Sequence, residues 1–526
     1  MARPHRVLTA MALLVLVAGG CGVQGDQALQ PHNERKGPVG PIPTGLERFY
    51  GQELAWGPCS GYATTSADRT AFQDPALECA RLEVPMDYAH PEAKTIRIGV
   101  LRKPATDQQS RIGALTVNPG GPGASGMSAA ASLTTSVSDS ELGERFDLVG
   151  FDPRGIGASE PAVRCLSDSE RDAERLDSDA DTSPAGVAQS EQEEREYAGK
   201  CAQRTGADML ANVGTRDVVR DLDVLRSALG EPKLNYLGYS YGTRIGSEYA
   251  ESFPGNVRAM VLDGAIDPGQ TTVDALVAQG AGFQRAFDDF ADWCAARSQC
   301  ALGNDPKQAV SRFQQLTRPL VDDPVQAGYG RELSYPDATM AAIQALYAPT
   351  LWETLETGLA ELQQRRGQTM LSLADSYFGR ESSGRYSNTP DAFDAIHCVD
   401  DKRVTDPEEV RKADRRYREA APFLDDGNPP TSARDMCAFW PVPVTGEPTQ
   451  PQVGALPPVL VISTTADPAT PYQAGVQLAQ ALHGRLLTYE GTQHTVYMQG
   501  VSCVDEAGTK YLVDLQVPPE GTRCSG

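Results

Sequence analysis

At 526 residues the chain is too long for one ordinary core, so two or three compact units are expected, and its composition is globular rather than fibrous or generally disordered. Lys plus Arg number 47 against 70 Asp plus Glu, a formal net charge of -23 that argues against nucleic acid or an anionic membrane surface as a partner.

Residues 1–21 read as an export signal: Arg3 and Arg6, an apolar stretch over 7–18 too short to span a bilayer comfortably, then Gly19-Gly20-Cys21. A small-residue site ending in cysteine resembles a bacterial lipoprotein signal, which implies lipidation at Cys21; plain secretion is the alternative. Residues 22–45 are Gly-, Pro- and polar-rich without periodicity and are expected to form a flexible tether. Ten further cysteines form no Cys-x-x-Cys pair, so no zinc site is expected. An even number in an exported chain suits disulfides, and pairing neighbours in order gives 59–79, 165–201, 294–300, 398–437 and 503–524, although sequence alone does not fix connectivity.

Short apolar runs at 82–85, 96–101, 114–117 and 148–151 read as the opening strands of a sheet. The third leads into Asn118-Pro119-Gly120-Gly121-Pro122-Gly123, where close backbone approach to a ligand is possible; Pro122 has no N–H, so Gly121 is the candidate oxyanion donor. The fourth continues as Asp152-Pro153-Arg154-Gly155-Ile156-Gly157-Ala158-Ser159, a loop expected to be held by an Asp152–Arg154 pair. Residues 166–197 are acidic, Ser-rich and poor in apolar residues, and predict a mobile surface insertion. Val218, Leu222, Leu225 and Leu229 then fall at helical spacing, with Thr215 as N-cap and Gly230 as the stop.

That helix leads into an apolar run and Gly238-Tyr239-Ser240-Tyr241-Gly242, followed by a stretch able to form a helix. Such a Gly-x-Ser-x-Gly between strand and helix predicts a nucleophile elbow, with the glycines required where neighbouring backbone leaves no room for a Cβ. The Tyr241 N–H would be the second oxyanion donor. Another run at 260–262 ends at Asp263-Gly264, and strand–helix alternation predicts a parallel α/β sheet. Between 266 and 440 the pattern turns helical, clearest at 281–296, 340–366 and 407–421, and predicts a lid inserted into the sheet domain; Phe283, Phe287, Phe290 and Trp293 are read as its core. Strands resume at 459–462 and 486–489.

Asp467 follows the first of these strands, at the edge where open α/β sheets place their sites. Of six histidines, His5, His32, His90, His397 and His483 lie in the signal, tether, an early loop, the lid and near a helix end; His494 alone follows a late strand, completing the order Ser240, Asp467, His494. These three would supply nucleophile, orienting acid and general base with no metal or cofactor.

Together the Asn-Pro-Gly-Gly-Pro-Gly loop, the Asp-Pro-Arg-Gly-x-Gly-x-Ser segment, the Gly-Tyr-Ser-Tyr-Gly elbow and the late Asp and His resemble the tripeptidyl aminopeptidase-like, proline iminopeptidase-type branch of the α/β-hydrolases. The resemblance implies a doubly wound, mostly parallel sheet with an inserted helical lid: core at 46–265, lid at 266–440, and a C-terminal core part at 441–526. It also implies an exported serine peptidase acting at or near peptide N-termini. Its substrate would be a peptide or protein, its contact with membrane only the lipid anchor, and its state a monomer. Cys398-x-Asp400 resembles a short motif of the family's lids and makes Asp400 the candidate anchor for a substrate ammonium; Asp400 and Asp401 as solvated charges beside Lys402 and Arg403 are the alternative. An esterase or lipase with the same three residues, and a binding lipoprotein whose triad is a relic, are the competing functions.

Overall fold

The apolar runs become strands of one sheet, the central ones buried on both faces, and the loops between them carry the glycines and prolines that stop them. The computed structural model describes residues 31–526. Strands β1 (His32–Glu34), β2 (Leu54–Pro58), β3 (Glu78–Pro85) and β4 (Thr95–Lys103) form an antiparallel margin. Strands β5 (Gly113–Asn118), β6 (Phe146–Asp152), β7 (Leu234–Tyr239) and β8 (Val257–Asp263) are mutually parallel. A small hairpin, β9 (Val325–Gly328) and β10 (Arg331–Leu333), stands apart, and β11 (Leu460–Thr464), β12 (Arg485–Glu490) and β13 (Arg523–Ser525) complete the sheet in parallel. The order is β1-β2-β3-β4-β6-β5-β7-β8-β11-β12-β13. This is the doubly wound, mostly parallel α/β sheet that the sequence implied.

Successive residues of a strand serve opposite layers: Met260 and Leu262 join the core on one face, Ala259 and Val261 the core on the other. Helix α1 (Gly126–Val137) packs on the second face. Two further helices, α2 (Asp168–Glu174) and α3 (Pro184–Thr205), fill the stretch expected to be mobile, which corrects that expectation. They are set by side-chain caps at Ser167 and Ser183, by Pro184 in the first turn and by the Cys165–Cys201 bridge. Ion pairs tie them to distant parts of the chain. Arg171 is buried against Asp391, Arg175 Nε donates to Asp337 at 2.8 Å, and Arg434 pairs with Glu191.

Helix α4 (Thr215–Ala228) begins with Gly214 rather than Thr215 at its N-cap, and α5 (Tyr241–Ser252) follows the elbow; both pack on the first face. The loop after β6 is not held by an Asp152–Arg154 pair. Arg154 is fully buried and reaches Asp221 of α4 through Nε and Nη2, both at 2.7 Å, while Asp152 accepts from Met127 N at 3.0 Å and Ala158 N at 2.7 Å. Part of the expected tether is also seated: β1 pairs with β2, and Val39 N donates to Ser227 Oγ at 2.9 Å. Cys21 and the signal lie outside the described residues.

Between β8 and β11 run α6 (Thr272–Ala295), α7 (Tyr335–Leu346), α8 (Trp352–Leu362), α9 (Gln368–Phe378), α10 (Thr389–Asp400) and α11 (Pro407–Ala420). The single helix expected over 340–366 is broken into α7 and α8, where Pro349 removes a donor and clashes with a continuing helix. Phe283, Phe287 and Phe290 form a core of their own with Phe313, Phe423 and Trp352, separate from the sheet cores. Helix α10 differs: Ala392, Ala395, Ile396 and Val399 belong to the core of the sheet domain. After β11 come α12 (Tyr472–Ala481) and α13 (Ser502–Asp514), on opposite faces.

All five expected disulfides are formed: 59–79, 165–201, 294–300, 398–437 and 503–524. Thiol titration of the denatured, unreduced protein is therefore expected to find none of these ten cysteines free; two or more reactive thiols among them would contradict the pairing.

Candidate active site

Strands β5, β7, β8, β11 and β12 end on one edge of the sheet, and the loops leaving that edge carry the candidate residues. Ser240 sits between β7 and α5 with φ 53° and ψ -123°, a left-handed conformation that an L residue adopts only under constraint. The constraint is visible atom by atom. A Cβ on Gly238 would lie 2.5 Å from the Gly242 carbonyl oxygen, and one on Gly242 would lie 2.7 Å from the Asn118 carbonyl oxygen. Ser240 N donates to Asp263 O at 2.9 Å, and Thr243 N to Ser240 O at 2.8 Å, so both ends of the turn are tied.

The Gly/Pro loop after β5 approaches this turn closely enough to require glycine. A Cβ on Gly120 would meet Tyr239 O at 2.5 Å and Tyr241 N at 2.9 Å, and Gly120 and Gly121 have φ of 94° and 107°. Among the described hydrogen bonds neither the Gly121 N–H nor the Tyr241 N–H donates to a protein group. Tyr241 N–H stands at the first turn of α5, where the helix dipole favours negative charge.

Asp467 follows β11 and is fully buried. Its Oδ1 accepts from Ala469 N and Thr470 N, both at 2.9 Å, and its Oδ2 from Thr470 Oγ1 at 3.0 Å, which fixes the carboxylate plane. His494, four residues past β12, brings Nδ1 to 2.9 and 3.0 Å from the two oxygens. A carboxylate only accepts, so Nδ1 carries the proton and Nε2 is left as the acceptor in the neutral ring. Burial alone pulls the imidazole pKa down, but the charge and hydrogen bond of Asp467, and then the charge of Asp263, outweigh it and hold it above the ordinary value. A Cβ on Gly264, which follows the residue receiving Ser240 N, would touch His494 Cε1 at 3.0 Å. Ser240, Asp467 and His494 thus stand on loops leaving one sheet edge; among the described hydrogen bonds His494 reaches Asp467 and not Ser240.

The lid adds contacts that the sequence reading missed. His494 N donates to Tyr347 O at 2.9 Å, and the Tyr347 ring meets the imidazole edge-on with centroids 5.5 Å apart. Thr470, whose hydroxyl also lies 3.3 Å from His494 Nδ1, was missed as well; its position three residues after an acid, where its N–H and hydroxyl both reach back to the carboxylate, is the signal that could have found it.

Asp400 is elsewhere. It is 3% exposed, its Oδ1 accepts from Thr215 N at 2.8 Å, and its Oδ2 from Thr215 Oγ1, which in turn receives the Tyr241 hydroxyl. The carboxylate therefore caps α4 from outside and faces the packing between α4, α5 and α10. Burial pushes its pKa up against the opposing pull of Arg244. Asp401 beside it is paired with Arg244 at 2.8 Å and His397 at 2.9 Å, so the acidic pair is structural rather than solvated.

No helix among the described residues is long and apolar enough to cross a membrane. Comparison with known proteins agrees with the architecture. Residues 113–501 match the family model of the α/β hydrolase fold. The chain is 46% identical over 532 aligned residues to serine protease Hip1 of Mycobacterium tuberculosis, covering 99% of this chain and 98% of that one. It is 48% identical over 478 residues to carboxylesterase B of the same organism, covering 90% of each, and 31% identical over 459 residues to the tripeptidyl aminopeptidase of Streptomyces lividans, covering 85% and 84%. With an elbow, a late acid and a late histidine on one edge of a doubly wound sheet, and the family model spanning most of the chain, this protein belongs to the α/β hydrolase family.

Proposed function

We propose that this chain is an exported serine peptidase that cleaves through an acyl-enzyme formed on Ser240. The observation that carries the reading is the buried Asp467–His494 pair, with Nδ1 at 2.9 Å, on the sheet edge that also carries Ser240 in its strained elbow. His494 Nε2 would take the Ser240 proton as the hydroxyl attacks the scissile carbonyl, and Asp467 would hold the tautomer and stabilise the imidazolium. The tetrahedral oxyanion would be met by Gly121 N–H and Tyr241 N–H; one such donor is worth about 10²–10³ in turnover. Proton return to the leaving amine frees the product, and water then repeats the sequence to release the acyl group. No step calls for a metal.

Peptide bonds are favoured over esters because the serine protease relative aligns along nearly its whole length and a tripeptidyl aminopeptidase is also related. The 48% identity to a carboxylesterase supports the second reading, an esterase using the same residues. A fluorophosphonate probe is expected to label the wild type and not Ser240→Ala; labelling that survives the substitution would remove the proposed nucleophile, and failure to label the wild type would favour a binding protein with a relic site. In a substrate panel, free-amine peptides should be cleaved with higher kcat/KM than short acyl esters, and the reverse order would make the esterase reading the better one.

Asp400 has both oxygens engaged, and we assign it to holding α10 and the elbow helix on α4 rather than to a substrate ammonium. Asp400→Asn can keep its oxygen on Thr215 N only if the Thr215 hydroxyl accepts from the amide and so reverses its bond with the Tyr241 hydroxyl, a change costing roughly 1–3 kcal/mol. It should lower Tm and reduce peptide and ester hydrolysis alike. A loss confined to free-amine peptides would restore the anchoring role.

Export and anchoring at Cys21 remain part of the proposal, on the strength of Arg3, Arg6, the apolar stretch and Gly19-Gly20-Cys21. Cys21→Ser should abolish metabolic labelling with a radioactive fatty acid and release the protein from the membrane fraction; unchanged labelling would place the lipid elsewhere.

A further inference from the structure

Asp263 closes β8, the strand between those that lead to Ser240 and to Asp467. It is fully buried. Its backbone carbonyl receives Ser240 N at 2.9 Å, while its Oδ2 accepts from Val496 N and Tyr497 N, both at 2.7 Å. One residue therefore holds the turn that carries the serine and the loop that carries the histidine. That loop is under strain, because Thr495 and Met498 have φ of 62° and 65°. Asp263 clamps the two residues between them, and Asp505 clamps the far side through Met498 N at 2.7 Å and Gly500 N at 3.0 Å.

A clamp alone does not explain a carboxylate here. Asp263 Oδ1 is buried and has no hydrogen-bond partner among the described residues, and an unpaired buried charge is expensive. Burial lifts the Asp263 pKa to about 6, with its two backbone donors and His494 opposing the rise and Asp467 adding to it. A neutral amide or hydroxyl could accept the same two N–H groups at lower cost. What the charge supplies is a second negative group at the base of the His494 loop, next to Gly264, where a Cβ would touch His494 Cε1 at 3.0 Å and where the imidazole must become positive during reaction. The groups bearing on His494 are Asp467 and Thr470 from the loop after β11, Asp263 from β8 and the Tyr347 ring from the lid; those bearing on Asp263 are His494, Asp467 and Tyr239.

We propose that Asp263 is a positioning residue for catalysis, which clamps the His494 loop and stabilises the His494 imidazolium from the β8 side while Asp467 does so from β11. The proposal rests on the triad reading above. Removing the Asp263 charge lowers the imidazole pKa, so the acid limb of activity, where His494 becomes protonated, moves to lower pH.

The test is the second-order rate of Ser240 labelling by a fluorophosphonate as a function of pH, with thermal melting to count folded protein. Asp263→Asn is expected to shift the acid limb down by about half a unit or more and to lower the plateau rate about 10–10²-fold through misplacement of the ring. An acid limb that stays where it is overturns the proposal, whatever happens to the plateau, because a purely structural clamp would not move it. Should Asp263→Asn fail to fold, Asp263→Ser, which leaves room for water to receive the two N–H groups, is read the same way. If neither variant folds, Asp263 serves the fold and the proposal falls. Controls separate the two readings: wild-type labelling in His494→Ala would sink the triad, whereas silent Ser240→Ala and His494→Ala with an unmoved Asp263→Asn profile would sink only the role given to Asp263.

Discussion

The backbone at Ser240 is held in a conformation costing about 1–3 kcal/mol in isolation, and much of the molecule is arranged to hold it there. The strain persists because β7, α5, the loop after β5 and the end of β8 meet around it at distances that exclude a Cβ from Gly238, Gly242 and Gly120. Such close approach is possible only if the sheet beneath is rigid, and β5, β7 and β8 are its interior parallel strands, buried on both faces. A serine at the sheet edge and two nearby N–H groups without a protein partner among the described residues are both products of the same tight turn.

The lid is built into this edge rather than laid over it. A Cβ on Gly123, in the loop after β5, would lie 2.6 Å from Thr389 O at the start of α10. A Cβ on Gly282 of α6 would lie 2.4 Å from Pro468 O, and Gln279 of the same helix donates to Ala469 O at 3.1 Å. Tyr347, just after α7, receives His494 N. Three lid helices thus reach the three loops proposed to carry the oxyanion donor, the acid and the base. A change in the lid that shifts these helices is felt in the positions of the reacting groups, not only in access to them.

The strand runs, the elbow turn, the meeting of Asp467 with His494 and the five cysteine pairs were legible because each follows from a local rule: apolar runs stopped by Gly or Pro, an elbow signature, an acid and a histidine after late strands, and loops closed within one segment. The helices at 168–205 were not, since few of their residues are apolar; α3 buries only Gly186, Tyr197, Ala198 and Cys201, and what orders the segment is a set of ion pairs to residues over 150 positions away, such as Arg175 to Asp337. The seating of residues 31–39 was hidden for a similar reason, because they gain their order from partners at 54–56 and Ser227. The burial of Asp400 was not legible, because one sequence cannot tell an acid facing a cleft from one capping a distant helix. Asp263 stood at a strand's carboxyl end in the same way as Asp467, so the signal was present, but position alone does not say which of two such acids faces Nδ1.

Asp400 shows why burying charge at this junction is worthwhile. The Tyr241 hydroxyl, Thr215 and Asp400 form one chain of hydrogen bonds, and Arg244 on α5 bonds both the Asp400 carbonyl oxygen at 3.2 Å and Asp401 at 2.8 Å. The residue whose N–H is proposed to meet the oxyanion is thereby tied, through its own side chain, to the start of α4 and the end of α10. Cys398–Cys437 and the Thr445 N to Val399 O bond at 2.7 Å hold the same stretch from the other side. Directional bonds to both oxygens of the Asp400 carboxylate fix the start of α4 against the end of α10, and an oxyanion donor tied into that junction is useful only when it stays within a few tenths of an ångström of its place.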